Sequence, residues 1–317
     1  MSKILDAITH QIKSTQVMDA DDGIFFARQL EHIQAKSADK KYADIIFRSV
    51  FPVSHECPEG AQTITVRSYD RVGIAKIISD YATSLPRADI SGKEYSIPVK
   101  QLGNSYGYTT REIRAAKLTG LPLDARRSGA AMAGHEEAMN RIAWLGDADA
   151  GLIGLLTAAG IPTATVATKA ATGTDWIGAT PDEILYDLNN AVSTMRSTTL
   201  MKESPTRLLL PPAKENILRS TRVSVASDTS IMDWFLRANG YIKEIMPINE
   251  LTGAGTGGVD VMVVYNPDPE NLTVEIPMEP KQLPPQQKGL EWEIPVEAEF
   301  GGLLIRYPLS VAIWEGI

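Results

Sequence analysis

Trp144-Leu145-Gly146-Asp147-Ala148-Asp149-Ala150-Gly151-Leu152-Ile153-Gly154-Leu155-Leu156 is the stretch on which the reading of this chain turns. A helical pattern runs into it and stops. Ala131, His135, Ala138, Ile142 and Leu145 recur at i, i+4, i+7, i+11 and i+14 on one face, and Gly146 supplies the C-terminal stop. The spacing predicts one helix over 123–145, on the order of 35 Å long at 1.5 Å per residue. Behind the stop, two glycines set among leucines and an isoleucine lead into a new segment.

Working upstream, Thr109-Thr110-Arg111-Glu112 forms a capping box, with Thr109 as N-cap and Glu112 as its reciprocal partner. It predicts a short helix that ends at Gly120-Leu121-Pro122. Before it, Thr63, Thr65 and Arg67 alternate with Ile64, Val66 and Ser68, and a second alternating run carries Tyr95, Ile97, Val99, Leu102 and Tyr106. These two strands, with about 25 residues between them, predict an extended hairpin. The polar piece from Asp70 to Gly92 is too long for a tight turn, and connections of that length in compact domains are functional or disordered. Residues 1–50 read as an arm: Ile4, Ile8 and Ile12, an acidic turn at Asp19, Asp21 and Asp22, then Phe25, Phe26, Leu30 and Ile33. Too few apolar residues are present there to offset the ordering entropy alone.

Downstream, helices are expected at 181–195, from Pro212, and at 231–239. Strands are expected at 207–210, 241–246, 259–265, 272–276, 290–295 and 303–313. The class is α+β with a strand-dominated last third and no internal repeat.

The 317 residues suffice for one large domain or two to three smaller ones. A net charge of −8 and a pI near 5.2 argue against a protein built to grip phosphate backbones. Cys57 is the one cysteine, so no intramolecular disulfide and no multi-cysteine zinc cluster can form within a chain. The N-terminal residues lack the pattern of a signal peptide and no segment approaches the ~18 apolar residues of a membrane span, so a soluble, cytoplasmically made protein is expected.

The chemical motifs fail in context. Gly253-Ala254-Gly255-Thr256-Gly257-Gly258 satisfies G-x-G-x-x-G, but a strand pattern follows where a dinucleotide-binding turn needs a helix. It reads as a surface turn. His135-Glu136-Glu137-Ala138-Met139 carries Met139 where a zinc-binding helix needs its second histidine, so His135 is expected to be packed or hydrogen-bonded. Asp147-Ala148-Asp149 and Asp19-Ala20-Asp21 open like calcium loops but have Ala158 and Leu30 at the twelfth position. Asp147 and Asp149 are expected to be solvated or paired with a basic neighbour. No catalytic residue, cofactor site or metal site is assigned.

What remains is architectural. A long polar hairpin, an arm without a core of its own, and a helix rich in small residues (Gly129, Ala130, Ala131, Ala133, Gly134) describe a subunit that completes its burial on its neighbours, or else a monomer with a solvated insertion.

The order of elements, and above all the exit Trp144-Leu145-Gly146-Asp147 into Gly151-Leu152-Ile153-Gly154-Leu155-Leu156, resembles the major capsid proteins of tailed bacteriophages with the Hong Kong 97-type fold, which encapsulin shells share. The resemblance covers nearly the whole chain. It implies an N-terminal arm (1–55), an E-loop hairpin (56–108), a P-domain with the spine helix (109–155), an A-domain (156–268), a return to the P-domain sheet (269–306) and a last A-domain strand (307–317). It implies self-assembly through pentamers and hexamers into an icosahedral shell around a phage double-stranded DNA genome, touched non-specifically, in a virion assembled in the bacterial cytoplasm. Scaffold, portal or decoration proteins are further implied partners; no membrane and no enzymatic activity are. Arg67, Asp70, Arg71, Lys76, Asp80, Arg87 and Asp89 become candidate inter-subunit contacts, against the alternative of a solvated loop. The arm is too short for a long fused scaffold, and no cross-linking residues are carried over. An encapsulin-type compartment enclosing an enzyme stays open beside this reading, as does a nucleotide-binding enzyme resting on Gly253 to Gly258.

Overall fold

Backbone meets backbone where the long helix ends. The computed structural model describes residues 44–73, 75, 77, 87–119, 126–171 and 173–317. The arm patterns, the Gly120-Leu121-Pro122 stop and the candidates Lys76 and Asp80 lie outside these residues. Within them the helices are α1 (Phe47–Val50), α2 (Thr110–Thr119), α3 (Arg126–Leu145), α4 (Pro181–Thr198), α5 (Pro212–Ser220) and α6 (Ile231–Ala238). The strands are β1 (Val53–Ser54), β2 (Thr63–Val72), β3 (Asp89–Pro98), β4 (Lys100–Thr109), β5 (Thr163–Thr165), β6 (Arg207–Leu210), β7 (Glu244–Pro247), β8 (Val261–Tyr265), β9 (Leu272–Glu275), β10 (Met278–Gln282), β11 (Gln286–Lys288), β12 (Glu291–Phe300), β13 (Gly302–Ile305) and β14 (Val311–Glu315).

At the end of α3, Gly146 takes φ +72°, and a Cβ there would lie 2.6 Å from the Leu152 carbonyl oxygen and 2.7 Å from the Gly154 nitrogen. The Thr157 hydroxyl donates to the Leu145 carbonyl at 3.0 Å and accepts from the Gly154 amide at 3.2 Å, satisfying a carbonyl that the helix end leaves open. The glycines of this exit are thus required by close approach. Asp147 has no basic partner among the described residues: its Oδ1 accepts from the amides of Asp149 and Ala150, and its backbone bridges Leu152 in both directions. A carboxylate closing its own turn explains why one sits beside a helix C-terminus.

Among the described residues the long helix spans Arg126–Leu145, and its buried face is rotated from the expected one. Ala131, His135, Met139, Ile142, Ala143 and Trp144 are buried, whereas Ala138 is half-buried and Leu145 is 49% exposed. Met139, the residue that spoils the zinc pattern, is fully buried. His135 is packed as expected, its Nε2 3.2 Å from the Val296 carbonyl. That carbonyl belongs to the four-stranded antiparallel sheet on which α3 lies, where β12 pairs with β4 over ten rungs along one edge and with β10 and β11 along the other. Asn104 Nδ2 donates to the Ala131 carbonyl at 2.7 Å, pinning α3 to β4. Arg48 on α1 ties the layer together, its guanidinium bonded to Glu279 on β10 and Glu136 on α3. Those two carboxylates hold the Arg48 proton more firmly than usual, and Arg48 in turn depresses Glu279.

A five-stranded sheet of order β5-β14-β8-β6-β7 carries the other half of the described chain. All five residues of β8 are buried. Leu209, Val261, Val263, Tyr265, Val311 and Ile313 face a core shared with Met139, Trp144, Phe51 and Phe300. Leu208, Leu210, Met262, Val264, Ala312 and Trp314 face a second core under α4, α5 and α6. A sheet covered on both faces reads as continuous apolar runs, which is why Leu208-Leu209-Leu210 and Val261-Met262-Val263-Val264 lack alternation. The expected strand at 303–313 is two strands, interrupted by a turn at Pro308–Ser310 that moves the chain from the β1-β9-β13 sheet to this one.

Gly253 to Gly258 forms a turn that Asp260 closes by accepting from the Gly253 amide at 2.9 Å, and β8 follows it. The helix that a pyrophosphate site requires is not there, and the nucleotide-binding reading falls with it.

Candidate assembly interface

The hairpin's ladder closes sooner at its base than the alternating run suggests. The run from Tyr95 to Tyr106 breaks at Val99 into two strands with different partners. β3 pairs with β2 in ten antiparallel rungs, from Thr63 opposite Pro98 to Val72 opposite Asp89, while β4 belongs to the β12 sheet. Pro98 lacks an amide to continue the ladder, and the Val99 amide donates to the Gln62 carbonyl at 2.9 Å, closing the ribbon's base. The β2–β3 ladder therefore ends at Pro98. At ~3.4 Å per residue each strand runs on the order of 33 Å.

Register gives this ribbon an inner and an outer face at its base. Ile64, Val66, Tyr95 and Ile97 share one side and are half-buried or buried; Thr63, Thr65, Arg67, Glu94 and Ser96 on the other are exposed. Beyond Arg67 and Glu94 every described side chain on both faces is exposed, including Tyr69 at 69% and Ile90 at 66%. Two outward cross-strand pairs stiffen it: Arg67 with Glu94 at 2.7 Å and Thr65 with Ser96 at 2.8 Å.

The candidate residues thus separate. Arg67 is engaged within its own ribbon. Asp70, Arg71 and Arg87 are exposed and make no ion pair among the described residues. Asp89 accepts from the Ile90 amide at 2.8 Å and makes no ion pair among the described residues. Tyr69 and Ile90 were not among the candidates; their alternation with polar residues signals only a strand, not a projecting one.

Where the β12 sheet ends, the capping box forms as expected. The Thr109 amide donates to Glu112 at 2.9 Å, and Thr109 Oγ1 accepts from the Glu112 amide at 3.2 Å. Arg127 joins Glu112 at 2.7 Å and also donates to the Gly107 carbonyl. The Arg127 guanidinium and the Thr109 bonds hold the Glu112 carboxyl at about 2. This folded value lies below the ordinary carboxylate value of ~4.3, so the tie is complete above that pH and is lost as pH falls through about 2. A carboxyl-carbon NMR titration should give Glu112 a midpoint near 2, and Arg127→Gln should return it toward the usual range; an ordinary midpoint in the parent chain would contradict the tie.

On α2 the exposed side is basic. Arg111, Arg114 and Lys117 are exposed together with Leu118, which is 89% exposed, while Glu112, Ile113 and Ala116 turn inward. Arg111 and Arg114 line a cleft of about 570 Å³ with Lys288, Leu290 and Glu291. Among the described residues no three His, Cys, Asp or Glu side chains are grouped to hold a metal ion, and no helix is long and apolar enough to cross a membrane.

Known structures share this arrangement. The capsid of Myoviridae phage XM1 superposes with a TM-score of 0.80 at 18% identity, covering 94% of this chain and 100% of that one. The Mycobacterium phage Che8 structure matches at 0.59 and 13% identity, over 93% of this chain and 98% of that one. A virus-like particle from Pyrococcus furiosus matches at 0.54 and 16% identity, over 85% and 92%. No curated protein matches the chain. The profile of the family described as Major capsid protein matches residues 73–317, from the hairpin tip through the spine helix to the last strand. A ribbon whose distal half is exposed among the described residues, a spine helix crossing its own exit loop and a match over that span lead to one conclusion: the chain belongs to the major capsid protein family and is a shell-forming subunit of the Hong Kong 97-type fold.

Proposed function

We propose that copies of this chain close a shell as pentamers and hexamers, each laying its 63–98 hairpin over an adjacent copy. The observation that carries this is the ribbon itself. A two-stranded hairpin alone is marginally stable in water, and among the described residues the distal half of this one has neither a third strand nor a covering layer. Asp70, Arg71, Arg87 and Asp89, with Lys76 and Asp80, are its polar contacts. Each exposed pair contributes only about 0–1 kcal/mol, and repetition around the shell makes the sum cooperative.

The elements partition as an arm (1–55), hairpin (56–108, its ladder ending at Pro98), P-domain (109–155 and 269–306) and A-domain (156–268 and 307–317). The shell encloses a tailed-phage double-stranded DNA genome in a virion assembled in the host cytoplasm, with scaffold, portal or decoration proteins as partners. The acidic balance supports this, since a strongly basic lumen would hold the polyanion too tightly to release it. The chain's role is structural, and no catalytic residue is assigned to it. Replacing residues 68–93 by an Asn-Gly turn should abolish particles in sedimentation while the melting transition of the remainder persists; normal particles from that variant would overturn the reading.

A further inference from the structure

The inner face of the ribbon continues past Ile64, Val66, Tyr95 and Ile97 as Ser68 and Lys93, then Asp70 and Ser91, then Asp89. Two carboxylates therefore occupy the distal inner face, diagonal to one another across the ladder at about 7–8 Å. They make no ion pair among the described residues. Among the described residues of that face the one base is Lys93, nearer the root.

Elsewhere on the same chain stands the opposite arrangement. Arg111 and Arg114, one helical turn apart on α2 with ~5–6 Å between Cβ atoms, are exposed and also without an ion pair among the described residues. Lys117 extends the stripe by another turn, and exposed Leu118 and Leu290 flank it. A contact between two different patches of one chain is what a heterologous, ring-closing interface requires. The spacings agree to within the reach of an arginine side chain.

We infer that Asp70 and Asp89 on the inner face of one copy's hairpin dock on Arg111 and Arg114 of α2 in the neighbouring copy. This rests on the reading of the hairpin as an inter-subunit element and names its receptor. The apolar flanks, Leu118 and Leu290, favour a protein surface over a phosphate backbone as the occupant, because a nucleic acid offers them nothing to cover. Each pair is desolvated only when a neighbour arrives, so the contact makes assembly sensitive to salt.

The test is a charge swap in the full chain, read as particle yield by sedimentation at low salt, with the melting temperature of each variant checked against the parent. Asp70→Arg with Asp89→Arg, and separately Arg111→Glu with Arg114→Glu, should each cut the yield at least tenfold with the melting temperature unchanged. The four substitutions together should bring it back to within about twofold. Parent-like yield from either double variant, or no recovery in the quadruple variant, overturns the pairing while leaving the shell reading intact. Particles that form normally but lose co-purifying nucleic acid in the arginine variant alone would assign the stripe to phosphate and also overturn it. No particles from the parent chain would sink the hairpin reading and this receptor with it.

Discussion

The Gly154→Ala chain is expected to lose more than about 4 kcal/mol of stability and to accumulate as insoluble protein, a loss in the range reserved for severe core or backbone disruption. A Cβ at this position would stand 2.2 Å from the Gly146 nitrogen, 2.6 Å from the Leu145 carbonyl carbon and 2.7 Å from the Trp144 carbonyl carbon. All three are main-chain atoms, so no rotamer change relieves the overlap; the end of α3 must move away from the turn at Leu155–Thr157. That movement drags Trp144 and Leu155, both essentially without solvent exposure, out of one core. It also breaks the hydrogen bond that the Leu303 amide donates to the Ile153 carbonyl, which anchors β13 to the same exit. Gly129→Ala on the same helix is the control. Nothing lies within 4 Å of its added Cβ, and replacing a mid-helix glycine should be neutral or stabilise by about 0.5–1 kcal/mol. The soluble fraction and the denaturant midpoint of the two variants decide the matter: equal behaviour would mean that the exit is not the constrained crossing described.

Asp187→Ala should cost about 3–5 kcal/mol, the penalty for stranding a buried charge. Lys169 and Asp187 are each 2% exposed in their side chains and meet at 2.8 Å; Trp176 Nε1 donates to the same carboxylate oxygen at 2.9 Å. Lys169 also donates to the Ala167 and Thr174 carbonyls, so one ammonium organises the 167–174 loop against α4. Removing the carboxylate leaves the buried ammonium with the Ala167 and Thr174 carbonyls but no counter-charge bonded to it among the described residues. The double variant Lys169→Met with Asp187→Leu should recover most of the loss, since an apolar pair of similar volume has no charge to desolvate. A chemical-denaturation cycle measures this directly, and a single variant costing under about 1 kcal/mol would show that water reaches the pair.

Much of this architecture was legible because the chain punctuates itself chemically. The capping box at Thr109 and Glu112, Pro212 opening α5, and the apolar run 207–210 each fixed an element boundary. The Gly146 and Gly154 pair was readable as a pattern, although its cause, a backbone crossing, needs three dimensions. Other features were illegible for a physical reason. Val99 looks like one more alternating residue, because alternation reports the pleat and carries nothing about which strand is paired; the split between β3 and β4 is decided by partners 35 and 200 residues away, as the Thr63–Pro98 and Lys100–Phe300 rungs show. The helix face was misplaced by one position because Ala138 and Met139 are both apolar, and packing volume chose the methionine. On the hairpin, charge counting names Asp70, Arg71, Arg87 and Asp89 as candidates together with Arg67, which Glu94 across the ladder satisfies. It names no residue of α2, where Arg111 enters only as a member of a capping motif.

The measurement that bears most directly on the central claim is a cryo-electron reconstruction of particles assembled from the full-length chain. A closed shell is expected in which the 63–98 ribbon crosses onto an adjacent subunit and its distal inner face is covered. A shell whose ribbons fold back on their own subunits, or a chain that remains monomeric at every concentration and salt, would contradict it.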